Sequence, residues 1–298
     1  MKKLTKRLLT AVLALAMLVT VIPVVDAQAA TTNEKVTMYV GESFSYSAYG
    51  NGITSVSSSK KSVVKVSKDK KYNYQANFTA KKAGTATLTI KYKNYSNKVN
   101  TVKIKVTVKK RDLTVTMKEM SGGYVLLAIK NNTKQTFDDA IISYTLKTPD
   151  GEVLISDTTY AYDLGAGKTV YDTVSYNDYT YTIDIDQCSA KVTAVSHSPN
   201  YTYKDLSSKL TVDVSEETSS DSEILTIKTK NTSSTTMSGD IYVLLYDAND
   251  NVVGMRSVSV YLKGKAVDTD TVTIYYNLYD GYDHYEIKKF AYSKTYKD

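Results

Sequence analysis

The sequence predicts an all-β chain of tandem two-sheet sandwiches behind a secretory leader. Three observations carry this. Thr, Val, Ile and Tyr dominate while Pro is scarce, apolar residues recur with period two rather than the helical 3.6, and polar turns separate short strands. The clearest stretch is KKAGTATLTI, Lys81 to Ile90. A glycine-bearing turn leads into a strand with Ala86, Leu88 and Ile90 on one face and Thr85, Thr87 and Thr89 on the other.

At the start of the chain, Lys2, Lys3, Lys6 and Arg7 precede an apolar run from Leu8 to about Val25. Ala27, Gln28 and Ala29 then supply the small-x-small pattern of a cleavage site, so residues 1–29 read as a signal peptide. Thr10, Thr20 and Pro23 interrupt the run and Asp26 follows it, which favours a cleaved leader over a retained anchor and leaves no membrane span in the mature chain. The C-terminal FAYSKTYKD is not an apolar tail. Residues 30–298 are long enough for two or three modules of roughly a hundred residues each. The single Cys188 excludes an intramolecular disulfide. It has no nearby His and sits in the strand-like IDIDQCSAKV, so it reads as a buried small residue rather than a reactive thiol.

The first module, residues 30–110, opens with VTMYVGESFSYSAYG: a strand, a turn at Gly41 and Glu42, and a second strand with Phe44 and Tyr46 in phase. SVVKVS supplies a third strand, then come YNYQANFTA, the Lys81–Ile90 stretch, and TVKIKVTV with Val102, Ile104, Val106 and Val108 pointing one way. VGESFSYSA, SVSSSKKSVVKV, FTAKKAGTATLTI and VKIKVTV together resemble the bacterial Ig-like group 2 family over the whole module. The resemblance implies an immunoglobulin-like sandwich on a cell-surface or secreted protein, and it implies no catalytic residue.

Charge is this module's distinguishing property. From Thr31 to Lys110 it carries sixteen Lys against Glu34, Glu42 and Asp69, a balance of +13, whereas residues 111–298 carry a balance of −9. On the plainer reading, Lys103, Lys105 and Lys109 alternate with core residues, and lysines at strand edges would only block sheet aggregation. Lys60 with Lys61, Lys68 with Lys70 and Lys71, and Lys81 with Lys82 fall in turns, where they are candidates for a polyanion-binding surface. Clusters of Lys without Arg do not suit base readout, so nucleic acid is not expected.

After Arg111 and Asp112 the chain reads as a duplication, residues 111–200 and 201–298. Leu113 to Val115 returns at Leu210 to Val212, and Ile129 to Thr133 returns as Ile227, Lys228, Asn231 and Thr232 with a small shift. Ile141 to Leu154 lines up with Asp240 to Val253, and LGAGK at Leu164 returns as LKGK at Leu262. Pro149 to Gly151 and Ala248 to Asn251 are the matching hairpin turns. TIKTKNTSSTTMSGDIYVLLYDANDNVVG resembles the bacterial FxLYD-type domain: Leu245, Tyr246 and Asp247 match its core triplet and Val243 stands in place of the Phe. The preceding copy keeps Tyr144 and Leu146 but has Lys147 and Thr148 at the Tyr-Asp positions.

No catalytic, cofactor-binding or metal-ligating set emerges. Asp247 to Asn251 space oxygens as a calcium loop does, but Val252 stands where such a loop needs Gly, and flanking strands favour a hairpin. His197 and His284 have no motif partner. Among the 27 tyrosines, Tyr179 and Tyr181 alternate as packing residues, while Tyr275, Tyr276, Tyr279, Tyr282 and Tyr285 span a loop beside Asp280 and Asp283 and form a candidate ligand face. The expected function is a non-catalytic binding or adhesion protein, secreted by a Gram-positive bacterium and held non-covalently at the cell wall. Its partners would be a wall polymer, a polysaccharide or a surface protein. The competing expectations are a plain spacer and, more remotely, a hydrolase.

Overall fold

The computed structural model describes residues 32–176, 180–198 and 200–297, so the expected signal peptide and Tyr179 lie outside the described residues. The chain divides into two compact units, Met1–Arg111 and Asp112–Asp298. The described residues of both are all-β, and no helix among them is long and apolar enough to cross a membrane.

Among the described residues the first unit is one sandwich of seven strands: β1 Thr32–Tyr39, β2 Ser43–Ser47, β3 Ile53–Ser58, β4 Val64–Lys68, β5 Gln75–Ala80, β6 Gly84–Lys93 and β7 Val99–Lys109. One sheet has the order β1-β7-β6-β3 and the other β2-β5-β4. β1 joins β7 in parallel, and the remaining pairs are antiparallel. The two-residue period decides what is inside. Ala86, Leu88 and Ile90 of β6 and Val102, Ile104, Val106 and Val108 of β7 are all buried, facing Val64, Ala76 and Phe78 across the sandwich. Phe44 packs on Phe78 with ring centroids 4.6 Å apart. At the VGE turn Gly41 takes φ +96°, and the buried Glu42 carboxylate accepts the Tyr39 amide at 2.7 Å. One strand escapes the pattern reading. β3 is ITSVSS, rich in Ser and Thr at a sheet edge, and only Ile53 of it is buried, so its apolar alternation is too faint to register.

The second unit holds two sandwiches of one topology. The first comprises β8 Leu113–Met120, β9 Tyr124–Asn131, β10 Phe137–Lys147, β11 Val153–Leu164, β12 Thr169–Ser175 and β13 Ser189–Ser196, in sheets β11-β10-β13 and β12-β9-β8. The second comprises β14 Tyr201–Asp205, β15 Leu210–Thr218, β16 Ser222–Asn231, β17 Met237–Asp247, β18 Val252–Leu262, β19 Val267–Tyr275 and β20 Tyr282–Tyr296, in sheets β14-β20-β17-β18 and β15-β16-β19. Strands β8 to β13 map in order onto β15 to β20, and β14 is an addition on the edge of the later copy.

Register corrects one detail of the repeat. Leu113 pairs with Asn131 and Leu210 with Asn231, so Lys130 and Asn131 correspond to Lys230 and Asn231 with no shift, and Ile129 to Thr229 rather than Ile227. Further on, Leu146 and Leu245 both precede the bulge into the hairpin. Against β13 the register shifts between Ile141 and Ile142, where Thr193 is the extra residue on β13.

The two copies are packed together by their outer sheet faces. On β17, Ile241, Val243 and Leu245 fill the core of their own sandwich, while Tyr242 and Leu244 on the opposite face are equally buried. Leu244 and Val252 join Met120 and Leu126 of the earlier copy in a separate apolar cluster, flanked by Tyr171, Tyr246 and Met255. The Tyr171 and Tyr242 rings meet edge-on at 5.1 Å, and the Ser121 amide donates to the Val253 carbonyl across the junction. Gly165 is required here: a Cβ at that position would lie 2.3 Å from the Phe290 ring.

Candidate binding surfaces

The seven candidate lysines are exposed and fall into two groups on the first unit. The amides of Lys81 and Lys82 both donate to the Val63 carbonyl, at 2.8 and 3.4 Å, and the Val63 and Val64 amides donate to the Lys60 carbonyl. This stitches the loop before β4 to the turn after β5, placing Lys60, Lys61, Lys81 and Lys82 at one end of the sandwich. Lys109 and Lys110 close β7 at the same end, where the Val40 amide binds the Lys109 carbonyl and Arg111 Nη1 reaches the Val40 carbonyl at 3.2 Å. Lys68, Lys70 and Lys71 lie past the other end of β4, roughly 17 Å away at about 3.3 Å per residue. There Asp69 organises the turn by accepting the amides of Lys71 and Tyr72 and the Asn77 amide group, which hold its carboxyl below the ordinary range. The solvent face of the larger sheet adds Lys35 and Lys105 at partner positions on β1 and β7, with Lys103 nearby.

The five tyrosines from Tyr275 to Tyr285 do not make one exposed face. Tyr275 ends β19 and is exposed, and Tyr276 sits in a short 3-10 turn with its ring stacked on Tyr282 at 6.2 Å. Tyr279, Tyr282 and Tyr285 pack against the core of the sandwich. Tyr279 fills the space that Gly254 leaves open, and Arg256 lies 5.6 Å from its ring. Tyr282 donates to Glu223 of β16 at 2.8 Å and Tyr285 to Glu216 of β15, so both hydroxyls tie β20 to the opposite sheet. Burial and these carboxylates push both phenols well above their ordinary range. Composition alone shows an aromatic run beside carboxylates, and the fold uses most of it to close one end of the sandwich.

The remaining candidates resolve into local structure. Asp247 accepts the amides of Asn249 and Asn251 and the Asn251 side chain, an arrangement that builds a hairpin with Asp250 at φ +62°. Its carboxyl is lowered chiefly by the Asn251 side chain. His284 stacks on Tyr246 at 5.3 Å and lies between Asp250 and Asp283. His197 is half-buried just past β13. Cys188 is half-buried rather than fully enclosed. It accepts the Lys147 amide at 3.3 Å, and burial raises its thiol. Among the described residues no group of three or more His, Cys, Asp or Glu side chains is placed to hold a metal ion.

A second aromatic group lies on β20 and β14. Phe290, Tyr292, Lys294 and Tyr296 alternate along β20 and therefore share a face. Tyr201 and Tyr203 of β14 pair with Tyr296 and Lys294, extending that face to the sheet edge. Tyr203 donates to Asp138 of the earlier copy, and Lys294 pairs with the same carboxylate at 2.9 Å. The period-two aromatic spacing in FAYSKTY was the signal. Its significance depends on β14, whose pairing partner is not apparent from local sequence.

No family model and no curated protein matches the chain. Solved structures with similarity include fibronectin(III)-like modules of Clostridium thermocellum CbhA, at 12% identity and a TM-score of 0.20, covering 78% of this chain and 91% of that one. The FN1–FN3 domains of chicken CNTN1 align at 9% identity and a TM-score of 0.16, covering 80% and 98%. SGBP-B of the Bacteroides ovatus mixed-linkage glucan utilization locus, in complex with a mixed-linkage heptasaccharide, aligns at 10% identity and a TM-score of 0.18, covering 92% and 98%. The assignment of tandem immunoglobulin-like sandwiches rests on the strand pairing and burial described above.

Proposed function

We propose that this is a secreted, non-catalytic binding protein whose first unit attaches electrostatically to an anionic wall polymer or polysaccharide. Lys60, Lys61, Lys81 and Lys82 gathered at one end of the +13 module are the observation that carries the reading. Lysines on short, backbone-bonded turns present several charges in a fixed pattern, and a polymer of repeating charge meets them at small entropic cost. Lys35 beside Lys105 supports it further, since adjacent like charges are unfavourable until a counter-anion joins them. The non-catalytic part of the proposal is supported by two carboxylates of the second unit that are engaged structurally: Asp138 by Tyr203 and Lys294, and Asp240 by Ser259. The resemblances to bacterial Ig-like group 2 and FxLYD-type domains stand as part of this proposal, with the second unit projecting from or adding to the attached first.

Adsorption of the mature chain to purified walls, titrated with salt, tests the proposal. Binding should weaken steeply between about 0.05 and 0.5 M salt, as the Debye length shrinks through the spacing of the charges. Replacing Lys60, Lys61, Lys81 and Lys82 together by Glu should reduce it by about tenfold or more, a loss of at least ~1.4 kcal/mol. The same change at Lys68, Lys70 and Lys71 should do less. Adsorption indifferent to salt, or undiminished by the four-site change, would sink electrostatic attachment and leave a spacer.

A further inference from the structure

The two sandwiches of the second unit leave a cleft of about 350 Å³ where they meet, toward the small end of the roughly 300–1,000 Å³ of ligand clefts. Tyr201, Tyr203 and Tyr292 form its aromatic wall, and Lys134 and Lys168 approach from the earlier copy beside Gly165. Lys297 adds a third cation, and Asp205 is the one carboxylate among the described lining residues.

The wall is fixed before any ligand arrives. Tyr203 gives its hydroxyl to Asp138, the Tyr203 and Tyr292 rings meet at 5.6 Å, and Lys294 lies over the Tyr201 and Tyr203 rings at 4.7 and 5.1 Å while bonded to Asp138. Rings held by second partners need little further ordering on binding. Tyr201 is exposed, so part of this aromatic surface faces solvent. Lys168 is matched by Asp205 at 2.6 Å, whereas Lys134 is exposed and has no ion pair among the described residues. Among the described residues the lining is therefore cationic, within a stretch, residues 111–298, whose overall balance is −9.

We infer that this cleft binds a short segment of carboxylated oligosaccharide, with the tyrosines packing against the apolar faces of its sugar rings and Lys134 meeting the carboxylate. Tyrosine offers a wide apolar face with a polar tip, which suits a pyranose, and the excess of lysine selects the acidic sugar over the neutral one. The site is separate from the lysines of the first unit, and neither reading depends on the other.

Isothermal titration of the full mature chain with trigalacturonate, and with a neutral glucose trimer for comparison, tests it. The acidic trimer should bind at least about tenfold more tightly than the neutral one. Tyr201→Ala and Lys134→Glu should each weaken it by about fivefold or more, with the thermal midpoint of Lys134→Glu unchanged because that residue is exposed. Tyr261→Ala, exposed on β18, and the four-site change at Lys60, Lys61, Lys81 and Lys82 should leave this affinity as it was. Absence of binding at millimolar trimer, equal affinity for the neutral trimer, or full affinity in Tyr201→Ala would each overturn the assignment. Because the four-site variant retains the cleft, wall adsorption and trimer binding can fail separately.

Discussion

Asn131 and Asn231 are the residues that most directly record the duplication. Each is fully buried, and its amide group donates to three carbonyls: Gln135, Leu164 and Gly165 in one copy, Thr235, Leu262 and Lys263 in the other. Each carbonyl oxygen accepts the amide and hydroxyl of the residue two places on, Thr133 or Ser233. No other side chain of that length offers two donors and an acceptor, so Asn→Ala strands several buried polar groups at once. Asn131→Ala is expected to cost about 2–4 kcal/mol, read as a lower urea midpoint for the second unit. Asn131→Asp should be no better, because a carboxylate would face the three carbonyls. A midpoint within error of wild type for either variant would show that the network is dispensable. A second residue-scale effect concerns Asp163 and Asp240, whose carboxyls burial raises above the ordinary value near 3.8. A raised folded-state pKa favours folding fully below the ordinary value and loses that contribution as pH rises through the raised one. Asp240→Asn, which keeps an acceptor for Ser259, is therefore expected to be more stable than wild type at pH 7, with the gap closing toward pH 4. Urea midpoints across that range check it, and a constant gap would rule out titration of Asp240 as the cause.

At the scale of elements, β17 shows what alternation conceals. A strand with one solvent face reads apolar-polar in turn, but IYVLLY, Ile241 to Tyr246, is apolar throughout because both of its faces are covered. VLLAI on β9, Val125 to Ile129, carries the same mark, with Leu126 facing the junction and Leu127 the core of its own sandwich. The continuous runs were visible as sequence, yet nothing local says which surface covers the second face. Leu244 is the central contact. Leu244→Ala should cost about 2–4 kcal/mol through lost burial and a residual cavity, and Leu244→Asp should separate the copies by placing a charge in an apolar junction. Hydrogen exchange would then show β9 and β17 losing protection while β6 and β7 of the first unit keep theirs. Unchanged protection in Leu244→Asp would mean that the copies are not held by this cluster. The tyrosines of β20 teach a related lesson: Tyr282 and Tyr285 cross-tie two sheets, a role set by the carboxylates opposite them on β16 and β15 rather than by their own spacing.

At the scale of the whole molecule, charge is divided between the units, and the wall-adsorption experiment belongs here because only the sum of many lysines distinguishes a polyanion-seeking module from a solvated one. The basic unit should bear the salt dependence, and the cleft of the acidic unit should contribute a ligand-specific component that salt weakens less, since part of it is ring packing. Sequence by itself determined the strand class, the inside and outside of β6 and β7, the hairpin chemistry at Asp247 and the existence of a repeat. These follow from a two-residue period and short-range hydrogen bonding, both local properties of the chain. Tertiary structure alone decided which lysines share an end, because strand order sets that and sequence spacing does not. It also decided that three of the five tyrosines beginning at Tyr275 pack into the sandwich. The packing of one copy on the other was likewise its decision, since a face can be recognised as apolar locally but its partner lies a hundred residues away.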